Sequence, residues 1–485
     1  MAEATYTKVA ATTATAAEPA VVPERRLRWF ALLLAAAVGA AIFVVPAPHG
    51  LSRTAQTALA ITGFTVVLWA AQVINNGIAS VLMMALLIPA GVKPSLALSG
   101  FSSGSWWVLL AVLFYGFAMQ RTGLAQRISY HILSLFPSTY LGILTAFFVI
   151  GTVLSLGIPS MTVRTAIMTP IAWALVQSLG LAPRSKESAL IMLTTVEMAV
   201  VPGCGLLYGS LYGPVVDSVF QLKHLPLSWL AFARVLELPT LLLCVLILWV
   251  NQWVLRPESA LPSSAEFVRS KVREMGSMQR DEAITALIVA GSILFWATDR
   301  WHHLPSFVIG MAGLAVFALA GVVRDADIAG GVSWTLLLFM GGIFSLANVL
   351  TEFKITDWLA GYFVPVANRL VSHPVVALVA VGLAMLAVRF LDPSGFIAIS
   401  VLFVPIVDTT RAAGIAPLIL TAALLLPSVP FWVTYQNIWV AMGEGITGGQ
   451  AFNAGQRVRL ATTYAVLAML TLGVSTAYWK WIGAL

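Results

Sequence analysis

Two short polar stretches interrupt an otherwise apolar chain: Pro159-Ser160-Met161-Thr162-Val163-Arg164 and Asp392-Pro393-Ser394-Gly395. Each lies between two apolar runs. At membrane depth, irregular backbone survives only where protein buries it or where it lines a wet cavity. Secondary transporters use such tips: half-helix N-termini face an anion near the midplane, and free carbonyls hold ions. Ser160 can cap a half-helix that begins near Met161. Its hydroxyl, with the free N–H groups there and Thr162 beside it, suits a carboxylate or another oxyanion, although an ordinary cap uses the same residue. Arg164 sits one turn further on, inside the apolar region, where a charge is costly and usually functional. Its planar fork takes a carboxylate bidentately; the alternative is a pairing with Glu197 or Asp392. Asp392, beside a dianion site, demands a cation, a proton or an arginine. Glu197, between Val196 and Met198, is either a coupling-ion or proton residue or a carboxylate paired within the bundle. Arg389 is expected to snorkel. Trp106, Trp107, Tyr478, Trp479 and Trp481 are expected to be interface anchors.

The elements that must hold these residues are apolar runs. They occur at about 29–47, 56–74, 76–92, 106–120, 139–158, 161–178, 187–215 and 229–255, then at 283–299, 305–323, 333–353, 373–391, 395–412, 415–443 and 459–482. The short polar turns make 139–178 and 373–412 re-entrant hairpins. Pro202-Gly203-Cys204-Gly205 breaks the run 187–215, and Pro427-Ser428-Val429-Pro430 breaks the run 415–443. Residues 1–28 read as a disordered cytoplasmic tail, and the basic segment 256–282 as a cytoplasmic linker. That leaves one repeat at 29–255 and a second at 283–485. Ser105-Trp106 with Leu109-Leu110 matches Ser333-Trp334 with Leu337-Leu338, and Met168-Thr169-Pro170-Ile171 matches Phe403-Val404-Pro405-Ile406. Counting spans gives an inverted repeat of about 11, with the N-terminus cytoplasmic and the C-terminus outside.

Composition supports that class. The 485 residues are 59% hydrophobic and 10% charged, with a mean hydropathy of +0.92. A soluble domain carries about 25% charged residues. The chain therefore reads as an all-α polytopic membrane protein, and no ten-residue alternation suggests a β-barrel. The net charge of +7 comes from basic residues between apolar runs, as in the positive-inside bias, and implies no nucleic acid. Cys204 and Cys244 lie in apolar segments, so neither a disulfide framework nor a cysteine metal site is expected. His302 and His303 are adjacent in a loop, without helical ligand spacing.

At these residues the chain resembles the divalent-anion:sodium symporter family, whose members carry dicarboxylates, tricarboxylates or sulfate. Gly100-Phe101-Ser102 through Trp107 and Arg121-Thr122-Gly123-Leu124 are similar to the stretch before the family's first hairpin. Pro159 to Arg164, with Pro170 beyond, resembles the Pro-Ser-Asn-Thr-Ala-Arg form of the oxoglutarate/malate translocator and citrate antiporter branch. Tyr435-Gln436-Asn437 after Pro430 resembles that branch's Pro-Tyr-Gln-Asn segment, and Tyr208-Gly209-Ser210 its Thr-Gly-Ser piece. Three departures stand out. Met161 replaces the Asn that binds substrate beside a sodium site, and a thioether is a poor ligand for Na+. Ser394-Gly395-Phe396 occupies the place of the second Ser-x-Thr. No His follows Ile399.

The resemblance implies a homodimer, scaffold and transport domains, and an elevator motion with substrate between the tips. It implies substrate contacts at Ser160, Met161, Thr162, Arg164, Ser210, Ser394, Gly395 and Asn437. The coupling-ion candidates are Ser160, Gly203, Gly205, Glu197, Asp392, Ser394 and Pro430, with Na+ as the candidate ion and no other cofactor. The expected function is secondary transport of succinate, malate, 2-oxoglutarate or citrate across the inner membrane, by exchange or cation coupling. The alternative is a carrier of sulfate, arsenite or Na+/H+ in which Asp392 and Glu197 do the work. A membrane enzyme lacks the necessary clusters.

Overall fold

The computed structural model describes residues 25–47, 50–259, 261–359, 361, 373–392, 395–396, 398–399, 403–404, 406–407 and 415–485. Among these, every regular element is helical. The first half holds α1 (Arg25–Val44), α2 (Arg53–Ala71), α3 (Asn76–Leu87), α4 (Gly104–Arg121), α5 (Leu124–Ser134), α6 (Tyr140–Gly157), α7 (Met161–Ser178), α8 (Lys186–Val200), α9 (Tyr212–Leu222) and α10 (Trp229–Leu255). A linker helix, α11 (Ala265–Glu274), follows. The second half holds α12 (Arg280–Ala297), α13 (Ser306–Leu319), α14 (Trp334–Glu352), α15 (Pro374–Val388), α16 (Pro417–Leu425), α17 (Ile438–Ile446) and α18 (Ala454–Trp481).

Short polar residues start many of these helices by accepting a first-turn N–H. Ser103, Thr139, Ser185, Ser228, Ser333 and Asn453 do so for α4, α6, α8, α10, α14 and α18. Six described spans are long and apolar enough to cross a membrane: α2, α6, α8 with its continuation to Gly205, α10, α14 and α18. Four shorter apolar helices accompany them, and α4 and α5 form a pair bent by 66°. Helix α7 is not among the six, in keeping with a polar first turn.

Helix α8 lies at the centre. Every residue from Glu187 to Val200 is buried. Helix α6 packs so closely that a Cβ on Gly151 would strike the Met198 carbonyl. A helix enclosed on all sides can carry polar groups only if neighbouring protein satisfies them.

Several expectations need correction. Arg25 to Arg28 belong to α1, not to the tail, whose residues 1–24 lie outside the described part. Helix α5 went unpredicted because Gln126, Arg127 and His131 interrupt its apolar pattern. The linker contains a helix, the first broken helix runs on to Leu222, and the last helix starts at Ala454. Trp106 and Trp479 are no interface anchors. Both are buried, with their indole N–H groups donating to the Leu337 and Val235 carbonyls at 3.0 and 2.9 Å. Arg389 does not snorkel; its side chain is fully buried.

Candidate functional site

The first tip is Ile158-Pro159-Ser160, between α6 and α7. Ser160 has extended backbone (φ −70°, ψ 106°), and its hydroxyl accepts from Val163 N at 3.3 Å, so it caps α7. Met161 is wholly buried and Thr162 half-buried. Arg164 is fully buried one turn on. Its Nε donates to the Ala199 carbonyl at 2.6 Å, Nη1 to the Ile158 and Gly209 carbonyls at 2.6 and 2.5 Å, and Nη2 to the Val200 carbonyl at 3.4 Å. All four partners are main chain, and no carboxylate is among them. Ala199 and Val200 end α8, where helix carbonyls lack intrahelical donors and carry the negative end of the dipole. Arg164 thus caps α8 and joins it to the tip and to the loop beyond the break. Its charge has no acidic partner among the described residues and lies one turn from the N-terminus of α7.

The second tip follows α15. Arg389 donates from Nη1 to the Asp392 carbonyl and from Nη2 to the Gln436 carbonyl at 2.8 Å, while its Nε finds no partner among the described residues. The Asp392 carboxylate accepts from Ala398 N at 2.8 Å. Gly395 has φ +75°, a left-handed conformation that favours glycine. Ser394 lies outside the described residues, as does most of the second hairpin arm.

Each tip also touches the opposite half of the chain. Thr162 Oγ1 accepts from Trp439 Nε1 at 3.2 Å, across 277 residues. Trp439 is in the first turn of α17, which Asn437 caps through Trp439 N and Val440 N at 3.1 and 3.0 Å. At the other tip, the Phe396 ring lies 5.2 Å from that of Tyr212, the first residue of α9. Two capped helix starts, those of α7 and α17, therefore meet at Thr162 and Trp439. First-turn N–H groups and dipoles at such ends attract anions.

The remaining candidates divide. Ser210 is buried with an unpartnered hydroxyl, next to Gly209, whose carbonyl binds Arg164. Gly203 packs against the Gly209 carbonyl and the Arg164 guanidinium, leaving no room for a side chain. Gly205 faces Glu237 of α10 in the same way. Pro430 is buried in the second break. Glu197 is away from both tips in its contacts: its Oε2 accepts from Asn251 Nδ2 at 2.6 Å. The sequence reading missed the roles of Arg389, Tyr212, Trp439 and Asn251. An intramembrane arginine and two aromatic residues just past helix breaks were the available signals.

A family model described as the sodium:sulfate symporter transmembrane region matches residues 26–485. The chain is 25% identical over 475 residues to the inner membrane protein YbhI of Escherichia coli (strain K12), covering 93% of this chain and 96% of that one. It is 24% identical over 469 residues to dicarboxylate transporter 1, chloroplastic, of Spinacia oleracea, covering 93% and 81%. Among solved structures, the YdaH transporter of Alcanivorax borkumensis shares the fold, with a TM-score of 0.53 at 15% identity over 94% of this chain and 97% of that one.

Proposed function

The chain belongs to the sodium:sulfate symporter family, and from that premise we propose that it is a secondary active transporter of small di- and tricarboxylates, such as succinate, malate, 2-oxoglutarate or citrate. That it is a multi-pass membrane anion transporter, and not an enzyme, follows from the family. The observation that carries the finer reading is the meeting of the α7 and α17 N-termini at the Thr162–Trp439 hydrogen bond. The spinach relative's name, a dicarboxylate transporter, points to the same substrate class.

In this reading, one substrate carboxylate lies at Ser160, Thr162 and the first-turn N–H groups of α7. Asn437, Ser210, Ser394 and Gly395 complete the binding groups. Arg164 contributes a fixed positive charge from behind the tip, without touching substrate. Met161 offers no ligand to a hard cation, since its thioether is buried and soft. Transport accordingly runs as anion exchange with weak dependence on Na+, and Gly203, Gly205, Asp392, Ser394 and Pro430 are the groups nearest any coupling ion. The two repeats, 29–255 and 283–485, flank the cytoplasmic linker 256–282. Both hairpins move together as an elevator against a scaffold that forms a homodimer in the inner membrane, with the N-terminus inside and the C-terminus outside.

Uptake of labelled succinate, malate and citrate into proteoliposomes tests this. We expect uptake that requires internal carboxylate and changes little with a Na+ gradient. Steep, saturable Na+ dependence in vesicles without internal anion overturns the exchange reading. No uptake of any of the three overturns the substrate class.

A further inference from the structure

The most enclosed acidic group among the described residues outside the tips is Glu197, in the middle of α8. Its Oε2 accepts from Asn251 Nδ2 of α10 at 2.6 Å, and that same amide nitrogen donates to Thr194 Oγ1 at 3.1 Å. Two oxygens at this cluster have no partner: Glu197 Oε1 and Asn251 Oδ1. Both are acceptors, and among the described residues no cation faces them. Helix α7 brings Arg164, whose donors are taken by carbonyls. Helix α6 brings only Tyr140, which donates to the Ser259 carbonyl. Helix α17 brings Glu444, paired with Arg457. The break after α8 brings Cys204, α10 brings Cys244 and Glu237, and α18 brings Tyr464, which donates to the Leu426 carbonyl. None of these is a free positive charge.

An ionised carboxylate with one bare oxygen and no counter-charge, enclosed by protein within a membrane span, carries a large desolvation cost. A proton removes that cost. The geometry accepts one. The two ends of an amide are interchangeable in shape. With Asn251 turned over, its Oδ1 faces Glu197 at the same 2.6 Å. That separation lies in the usual range of an O–H···O bond and below that of N–H···O. Asn251 can therefore donate to a carboxylate or accept from a carboxylic acid without any movement of the helices.

We propose that Glu197 and Asn251 form a proton-binding site in the core of the transporter, so that anion transport carries a proton-dependent step. A metal ion fits less well, because an N–H donor occupies one oxygen of the carboxylate and no group of three or more His, Cys, Asp or Glu side chains that could hold a metal ion occurs among the described residues. The inference rests on the transporter reading for its coupling, but not for the proton itself.

Infrared spectroscopy of the purified full-length protein, with and without labelled glutamate carboxyls, reads the proton directly. We expect a protonated carboxylic C=O band at neutral pH that disappears in Glu197→Gln. In Asn251→Val the band should persist and move to the higher frequency of an acid without a hydrogen bond. The second variant decides the matter if the first does not fold. Absence of the band from the wild type overturns the proposal, as does displacement of the band by Na+ at fixed pH, which makes a metal the occupant. In proteoliposomes, wild-type succinate exchange should vary with pH and Glu197→Gln should lose that variation. A pH response unchanged in Glu197→Gln overturns the coupling. If the wild type carries no succinate, the infrared result still stands or falls alone, and the substrate reading is the one that failed.

Discussion

The two polar tips solve one problem with different residues in different places. Each must anchor bare carbonyls next to a broken helix inside the membrane, and each does so with a buried arginine. At the first tip the arginine follows the turn, in α7, and reaches four carbonyls on three segments. At the second it precedes the turn, at the end of α15, and among the described residues reaches two, leaving its Nε unpartnered. What the two halves share is a chemical task, not a motif position. Among the described residues, every guanidinium nitrogen of Arg164 has a partner, whereas Arg389 Nε has none, and the second tip carries a left-handed glycine.

The largest effect should come from Arg164→Ala. It leaves the carbonyls of Ile158, Ala199, Val200 and Gly209 without their donor, at about 1–3 kcal/mol for each buried group left unsatisfied. Against a typical total stability of about 5–15 kcal/mol, that loss removes most folded protein. Monodisperse yield and thermal unfolding in detergent will show it. Arg164→Lys should fare little better, since an ammonium cannot span three segments. Adding Asp392→Asn or Glu197→Gln should rescue neither variant; recovery in either would mean that a carboxylate is the true partner.

Arg389→Ala should cost roughly half as much, because two carbonyls are involved rather than four, again at about 1–3 kcal/mol each. Arg389→Lys should retain one contact and fold. Unfolding curves for the Arg389 pair that match those of the Arg164 pair would erase the difference between the tips.

Gly395→Ala comes next. A side chain at φ +75° is strained by about 1–2 kcal/mol, and the new Cβ would lie 3.2 Å from Tyr212 Oη. The first tip has no counterpart, so Ser160→Gly should cost only a few tenths of a kcal/mol. Equal shifts in melting temperature would contradict this asymmetry.

A smaller loss than that of Gly395→Ala should follow Trp439→Phe, which removes one hydrogen bond worth about 0.5–1.5 kcal/mol. Combined with Thr162→Val, it should add nothing further to the loss in stability. Additive losses would mean that the two side chains act separately.

Much of this architecture was legible because the bilayer writes it in residue types. Apolar runs, the Pro and Gly breaks at 202–205 and 427–430, and the polar tips all follow from the cost of bare backbone in hydrocarbon. Ser160 as the cap of α7 and Asn437 near the second break were legible for the same reason. The partners of Arg164 were not. Every residue has a carbonyl, so a guanidinium aimed at carbonyls leaves no trace at the positions it binds, whereas a carboxylate partner would have. Arg389 was misread because its distance from the run's end suggested a route to water, which the packing around it closes. Thr162 with Trp439, and Tyr212 with Phe396, join residues far apart in sequence, where local pattern carries no information.

The sequence separations of these contacts also set an order of assembly. Arg164 finds its partners within 6 to 45 residues, and Arg389 within 47. Each tip can therefore be tied down by chain made shortly after it. The Thr162–Trp439 bond must wait until 277 more residues have left the ribosome. Because contacts between distant parts of a chain form slowly, the two halves can be secured before that contact forms. A ribosome stalled in the second half would then display a first tip already anchored, facing a partner not yet made.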